Sequence, residues 1–309
     1  MAGICEGRVV IVTGAGRGIG RAHALAFAEQ GARVVVNDLG AEVDGSGSST
    51  GPAGEVVDHI RSQGGAAIAN GDDVASWEGA QRLINAAIES FGRLDVVVNN
   101  AGILRDRMLV NMTESEWDDV IRVHLKGTFA MTRWAAAYFR EQAKAGVAQD
   151  ARIINTTSAS GIYGNVGQAN YGAAKAGIAS LTIIAAMELA RYGVTVNAIA
   201  PVALTRMTEN LGIVAPDDRA AQAELAPENI APLVVWLGST HSAGITGRVF
   251  DVAGHHIDVA EGWHAGPSAE ARGQRFTVDE LDDVVPALVR AARRNADMSG
   301  HEPPEAPNA

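Results

Sequence analysis

Seven short β-branched runs recur along this 309-residue chain, and most are apolar at every position rather than at every second one. They are Arg8–Thr13, Arg33–Asn37, Ala66–Asn70, Leu94–Asn99, Arg152–Thr157, Val194–Ile199 and Arg248–Val252. A strand with one wet face alternates, whereas a strand that is apolar throughout is covered on both faces, as in a parallel sheet. Between the runs lie stretches of helical character near 18–30, 52–63, 76–91, 114–145, 168–192 and 227–238. Parallel neighbours need crossovers, and helices in right-handed crossovers supply them. The pattern predicts an α/β fold: a doubly wound parallel sheet of about seven strands with helices on both faces.

Three stretches break the rhythm. Gly40–Gly54, rich in Gly and Ser, reads as a loop inserted after the second strand. Leu204–Pro227, polar and Ala-rich, has the character of a small helical lid at the sheet's carboxyl edge. Thr277–Arg294 looks helical, with Asp279 and Glu280 at its start and Arg290, Arg293 and Arg294 at its end, matching the helix dipole. Ser299–Ala309 is Pro-rich and reads as disordered. The expected organisation is one domain over 1–263 and a C-terminal extension over 264–309, helical then disordered. That extension is too short to bury a core of its own, so it is expected to pack on the main fold or on a neighbouring subunit.

Composition narrows the function. With 25 basic and 36 acidic residues, net charge −11, the chain has no general field for gathering phosphate backbones, so nucleic acid is excluded as a partner. The single cysteine, Cys5, has no disulfide partner, and no Cys and His stand at zinc-ligand spacing. The adjacent His255 and His256 splay apart and have no carboxylate cluster beside them, so no metal site is expected. The amino terminus lacks a basic leader and a long apolar segment, and no stretch reaches the ~20 apolar residues of a spanning helix. Neither export nor membrane insertion is expected, and a reducing, cytoplasmic setting fits.

Directly after the first run comes Thr13-Gly14-Ala15-Gly16-Arg17-Gly18-Ile19-Gly20, leading into a helix. Glycines let the backbone approach a pyrophosphate, and the exposed N–H groups of the helix start favour its charge. The turn therefore makes the fold Rossmann-like, with Gly14, Arg17, Gly18, Ile19 and Gly20 as cofactor contacts. Asp38, at the end of the second run, is placed to accept the ribose hydroxyls of an adenosine. Its carboxylate would repel a 2′-phosphate, whereas Arg17 could pair with one; the carboxylate must be displaced or neutralised before a phosphate fits while Arg17 can point to solvent, so NAD is expected rather than NADP. Asp73 and Val74 follow at the end of the third run, where they could meet the adenine or cap the next helix. Asn99-Asn100-Ala101-Gly102 ends the fourth, at the edge where doubly wound folds bind ligands.

The fifth run ends in Thr156-Thr157-Ser158, thirteen residues before Tyr171, and Lys175 follows four later. Residues i and i+4 of a helix lie about 40° apart, so Tyr171 and Lys175 share a face. A tyrosine with its usual pKa of about 10 is a poor base at neutral pH unless a cation favours the phenolate. Lys175 can supply that charge and hold the nicotinamide ribose. Ser158 can orient the substrate oxygen and stabilise developing alkoxide character.

Residues 5–258 resemble the short-chain dehydrogenases/reductases, through the glycine turn at 13–20, Asn-Asn-Ala-Gly at 99–102, Ser158, Tyr171 and Lys175. The resemblance implies that Tyr171 is the general acid/base, Ser158 stabilises the substrate, Lys175 lowers the tyrosine pKa, and hydride passes to or from the nicotinamide. Where the family usually carries a catalytic asparagine, Val123-His124-Leu125-Lys126-Gly127 puts His124. The family's Pro-Gly-x-x-x-Thr becomes Pro201-Val202-Ala203-Leu204-Thr205, leaving Pro201 and Thr205 toward the nicotinamide. Val35–Gly40, Asn99–Arg107, Val123–Gly127 and Ser158–Asn165 are similar, more narrowly, to the (3R)-hydroxyacyl-CoA dehydrogenase part of type-2 peroxisomal multifunctional enzymes, where His124's counterpart is also histidine. This implies NAD-dependent interconversion of (3R)-hydroxyacyl-CoA and 3-oxoacyl-CoA in the β-oxidation of fatty or steroid side chains. No hydratase module, sterol-carrier module or Ser-Lys-Leu terminus follows, so a stand-alone, bacterial, cytosolic dehydrogenase is expected.

The family also implies a homodimer or homotetramer, and small residues around the catalytic helix, among them Ala169, Gly172, Ala173 and Gly177, permit close helix approach. Arg105 and Arg107 are either contacts for a CoA phosphate or solvated loop charges. A hydroxysteroid or other secondary alcohol dehydrogenase would use the same apparatus with a different lid. A non-catalytic NAD-binding interaction protein would have a broken set, and Ser158, Tyr171 and Lys175 are all present.

Overall fold

Val9 and Ile11 enter one apolar core and Val10 and Val12 the other, and the same split runs through the neighbouring strands. A strand projects successive side chains to opposite faces, so a run that is apolar throughout needs cover on both. The computed structural model describes residues 3–42, 44, 47, 51–205, 215, 218–271 and 273–302. Within them β1 (Val9–Thr13), β2 (Arg33–Asn37), β3 (Ala66–Asn70), β4 (Val96–Asn99), β5 (Ala151–Thr156), β6 (Val194–Val202), β7 (Val249–Ala253) and β8 (His256–Ala260) form one sheet, ordered β3-β2-β1-β4-β5-β6-β7-β8. The first seven pair in parallel.

The helices are α1 (Gly18–Glu29), α2 (Gly51–Ser62), α3 (Trp77–Phe91), α4 (Glu114–Val120), α5 (Gly127–Lys144), α6 (Ala159–Ile162), α7 (Ala169–Leu189), α8 (Arg219–Glu224), α9 (Ala231–Gly238) and α10 (Val278–Ala291). Phe27 of α1, Val56 and Ile60 of α2 and Val234 and Leu237 of α9 fill the core on one face of the sheet. Leu83 of α3, Met131 and Phe139 of α5 and Leu189 of α7 fill the core on the other. The chain winds outward from β1 through β2 to β3, then returns to lay β4 on the opposite side of β1. That reversal opens a crevice at the carboxyl ends of β1 and β4.

The eighth strand departs from the expected seven. Gly254, at φ +53°, lets a short connection fold β8 back antiparallel on β7, with Ala253 opposite His256 and Val249 opposite Ala260. The continuous helix expected over 114–145 is divided: Thr113 and Glu116 cap α4 reciprocally, a wide-turned π segment spans Ile121–Lys126, and α5 follows. Wide turns of this kind recur at functional sites, and this one carries His124. The short α6 was not expected.

Gly51–Gly54, read as loop, belong to α2, while residues 43, 45, 46 and 48–50 of that stretch lie outside the described residues. Of the expected lid, 206–214, 216 and 217 lie outside them as well. Its described part contains α8, and the Leu204 N–H donates to the Leu225 carbonyl at 2.6 Å, returning the chain to the end of β6. Thr277 and Glu280 cap α10 reciprocally, and none of its residues is buried. Residues 303–309, expected to be disordered, lie outside the described residues.

The helical run 169–192 has the length and hydropathy of a membrane span, which the sequence reading did not credit. In the fold, one side of α7 packs on the sheet through Ile178, Thr182, Ala185 and Leu189 and buries Lys175.

Candidate active site

The crevice is closed at its base by one hydroxyl. Thr13 Oγ1, at the end of β1, accepts the N–H groups of Asn100 (2.9 Å) and Ala101 (3.1 Å). The Asn100 side chain answers by donating to the carbonyls of Thr13 (3.0 Å) and Gly14 (3.2 Å). The glycine turn and the end of β4 are thus one rigid unit. Gly14 sits at φ +62°, and a Cβ there would lie 2.8 Å from Ala101 Cα, so no other residue fits.

A cleft of about 220 Å³ opens above this unit. Gly14, Arg17, Gly18, Ile19, Gly20, Asp38, Asp73, Val74, Asn100, Ala101, Gly102 and Thr205 all line it. Arg17 is the residue before α1, in extended conformation, so the first-turn N–H groups of α1 face the cleft. Asp38 is held at both oxygens: Oδ2 accepts the Gly16 N–H and Oδ1 the Gly40 N–H, each at 2.7 Å. Thr205 reaches the turn from the end of β6, its Cγ2 3.4 Å from where a Gly18 Cβ would stand. Pro201, half-buried within β6, is not among the lining residues.

Asp73 corrects one expectation. It does not cap α3; Ser76 does, accepting the Gly79 N–H at 3.2 Å. The Asp73 carboxylate instead accepts the Ala75 N–H (2.8 Å) and pairs with Arg122 (3.1 Å) across the cleft wall. Arg122, Asn37 and Asp72 also line the cleft and were not singled out from the sequence. Asn37 could have been, because it ends a strand at the ligand edge; its amide donates to Asn70 Oδ1 and the Asp72 carbonyl, both at 2.9 Å.

Beside the cleft, Ser158, Tyr171, Lys175 and His124 come together. Ser158 follows β5 in extended conformation and caps α6, its Oγ accepting the Ser160 N–H at 3.2 Å. Lys175 Nζ lies 5.3 Å from the centre of the Tyr171 ring and donates to the Thr156 carbonyl at 2.7 Å. Thr157 Oγ1 donates to the Lys175 carbonyl at 2.6 Å, fixing α7 to the end of β5. The His124 ring meets Tyr171 edge-on at 5.2 Å, and its Nε2 is 2.8 Å from the Ile103 carbonyl. Its buried Nδ1 has no hydrogen-bond partner among the described residues. Gly102 leaves room for that ring, since a Cβ would stand 2.3 Å from His124 Cε1.

Burial dominates the titration of this group. It pulls Lys175 down to about 7 and, with the Lys175 charge adding to it, His124 down to about 3. It pushes Tyr171 up to about 12; the Ser158 hydroxyl beside it pulls the other way and the Asp106 carboxylate adds to the rise. Of the other residues weighed from the sequence, Arg105 pairs with Asp44 and Asp119, each at 3.6 Å, and Arg107 with Glu116 at 3.2 Å. His255 and His256 turn to different carboxylates, Glu224 and Asp258.

Comparison with known proteins agrees with this architecture. The short chain dehydrogenase family model matches residues 8–213. The peroxisomal multifunctional enzyme type 2 of Mus musculus is 49% identical over 90% of this chain, which spans 36% of that enzyme's length. The peroxisomal hydratase-dehydrogenase-epimerase of Neurospora crassa is 46% identical, and the chain spans 27% of it. The hydroxyacyl-CoA dehydrogenase ChsB1 of Mycobacterium tuberculosis is 45% identical over 89% of this chain and 86% of its own. A crystal structure of a short chain dehydrogenase from Mycobacterium avium, 56% identical, superposes with a TM-score of 0.85 over 95% of this chain and 98% of that one. Because the family model runs from β1 past β6, over the same turn and strand ends that build the cleft, the chain belongs to the short-chain dehydrogenases, oxidoreductases that act on CH–OH groups with a nicotinamide dinucleotide.

Proposed function

We propose that the protein is an NAD-dependent dehydrogenase interconverting a (3R)-hydroxyacyl-CoA and a 3-oxoacyl-CoA. The observation that carries the reading is the meeting of Ser158, Tyr171 and Lys175 beside a glycine-walled cleft whose ribose end is closed by a fixed carboxylate. The substrate class is supported by the names of two relatives, ChsB1 and the hydratase-dehydrogenase-epimerase. The 3R configuration and the place in β-oxidation rest on the resemblance to type-2 multifunctional enzymes.

A dinucleotide suits the cleft's chemistry. The α1 start offers N–H groups to a pyrophosphate, and Asp38, oriented at both oxygens, offers its remaining lone pairs to ribose hydroxyls while opposing a 2′-phosphate. Asp73, Val74 and Arg122 would hold the adenine, and Asn100, Ala101, Gly102 and Thr205 the nicotinamide, while Pro201, outside the cleft lining, would act only through the end of β6. When bound, the nicotinamide accepts or returns the hydride.

The chain's own residues handle the proton. Ser158 Oγ donates to the substrate oxygen and orients it. Tyr171 Oη takes the hydroxyl proton during oxidation and returns it during reduction. Lys175 lends its charge to the phenolate; burial holds it down to about 7, and the hydroxyls of a bound ribose, accepting from Nζ, would raise it and thereby lower Tyr171. His124, neutral at physiological pH, holds the Tyr171 ring and the backbone at Ile103 in place.

The assembly is read as a homodimer or homotetramer joined through α5 and α7, which leave Phe129, Ile183, Ile184 and Met187 exposed. A cytosolic location suits the single, buried, unpaired Cys5. Replacing Tyr171 with Phe is the test of mechanism: turnover is expected to vanish with NADH binding retained, and an active variant would contradict the assignment.

A further inference from the structure

Two loops meet at the amino end of α7, and one side chain joins them. Gln168 immediately precedes α7 and is 9% exposed. Its Nε2 donates to Asp106 Oδ2 at 2.8 Å, in the loop after β4. Its Oε1 accepts Ser160 Oγ at 2.7 Å and Asn165 Nδ2 at 3.0 Å, in the stretch after β5. Beside it the Arg107 N–H donates to the Gly167 carbonyl at 2.8 Å.

Asp106 fixes the direction of the bonds that Gln168 makes. A carboxylate only accepts, so the amide nitrogen of Gln168 must face it and the amide oxygen must face Ser160. The Ser160 hydroxyl then donates to Gln168, and the Ser160 N–H donates to Ser158 Oγ at 3.2 Å. With that lone pair of Ser158 engaged, its own O–H is left to point toward the reacting oxygen and Tyr171. The Ser158–Ser160 bond is the cap of α6, and the stretch that joins α6 to Gln168 turns through Gly164 and Gly167, both at positive φ, so Gln168 ties α6 to the loop after β4.

We propose that Asp106 and Gln168 are positioning residues of the reaction, acting through Ser160 to fix the direction of the Ser158 hydroxyl relative to Tyr171. The proposal rests on the roles assigned above to Ser158 and Tyr171. It adds a charge to the account as well. Tyr171 is faced by Lys175 from its own helix, His124 from the π segment, Ser158 from the end of β5 and Asp106 from the loop after β4. Since His124 stays neutral above pH of about 3, Lys175 and Asp106 are the charged groups of this set.

The test removes the donor that Gln168 offers to Asp106. In Gln168→Glu a carboxylate faces Asp106 across a bond of 2.8 Å, and kcat is expected to fall at least ~10-fold with NADH affinity held. Adding Asp106→Asn restores a donor opposite the introduced carboxylate, and the double variant is expected to regain most of that loss. Asp106→Asn alone removes a charge near Tyr171 and keeps an acceptor for Nε2; the acid limb of kcat/KM for oxidation is expected to move about half a pH unit lower, the shift being small because Asp106 is exposed. Full activity in Gln168→Glu, a loss that the second change does not restore, or a loss matched by weaker NADH binding and a lower melting temperature would each overturn the proposal.

Substrate identity does not enter, because any secondary alcohol that the wild type oxidises serves for the comparison. Phenolate absorbance, read against a Tyr171→Phe counterpart of each protein with NADH present, gives a readout without turnover. Ionisation of Tyr171 is expected at lower pH in Asp106→Asn and at higher pH in Gln168→Glu. Identical titrations in all variants would overturn the proposal even if no hydroxyacyl-CoA were a substrate.

Discussion

Asp38 anchors the turn it faces: its Oδ2 accepts the backbone N–H of Gly16 at 2.7 Å, across 22 residues of chain. The same carboxylate holds Gly40 through Oδ1, so it stays oriented at the end of the cleft proposed to take the ribose. Asp38→Ala removes both anchors and the charge that opposes a 2′-phosphate. NADH affinity is expected to fall about 10-fold, the scale of a lost hydrogen bond to a charged group, and the NADH/NADPH preference to narrow. Fluorescence titration with both reduced nucleotides measures this, and an unchanged ratio would remove Asp38 from the ribose site.

Gly102 is the point at which the cleft touches His124 and, through it, the group proposed to be catalytic. Its substitution by Ala drives a methyl into a ring that is 2% exposed and cannot move aside. Overpacking of that kind costs about 1–3 kcal/mol, visible as a lower melting temperature together with lost turnover. Gly244→Ala is the control: a Cβ there meets nothing within 4 Å, so stability is expected to stay within about 0.5 kcal/mol. Removing the ring in Gly102→Ala/His124→Ala should relieve most of the clash, and strictly additive losses would locate the damage elsewhere.

His23 and His124 are both buried and held down to about 3 by burial. Unfolded, each takes a proton near its usual 6.5, so between these values the unfolded chain binds more protons than the folded one. Stability therefore rises with pH through that window and is lost as pH falls through it, by up to about 1.4 kcal/mol per pH unit for each histidine. In His124→Asn one of these contributions disappears. Urea unfolding from pH 4 to 7 should show the variant gaining on the wild type as pH falls, and parallel curves would mean that His124 already titrates normally in the folded state.

What the sequence made legible follows from what each residue does alone. Strands such as Val9–Thr13 and Val96–Asn99 stand out because cover on both faces demands apolar residues throughout. His256–Ala260 does not, because Ile257 and Val259 lie half exposed at the sheet edge. The glycine turn and Asp38 were readable because a backbone approach and a charge are local properties. The Arg122–Asp73 pair was not, since Arg122 sits on a widened turn that no local pattern announces and that brings it to a residue 49 positions away. Asp73 was read as a possible cap because Asp and Ser serve that role equally, and only the fold shows that Ser76 takes it. The Gln168 bridge was invisible for a related reason: it joins segments 62 residues apart, and each of its members alone is an ordinary polar loop residue.

The most direct measurement is the formation of NADH with (3R)-hydroxyacyl-CoA, (3S)-hydroxyacyl-CoA and a 17β-hydroxysteroid in parallel assays. Rapid, selective oxidation of the 3R thioester is the expected result. Oxidation of the steroid with no turnover of either thioester would contradict it, and would mean that Ser158, Tyr171 and Lys175 serve a different alcohol on the same scaffold.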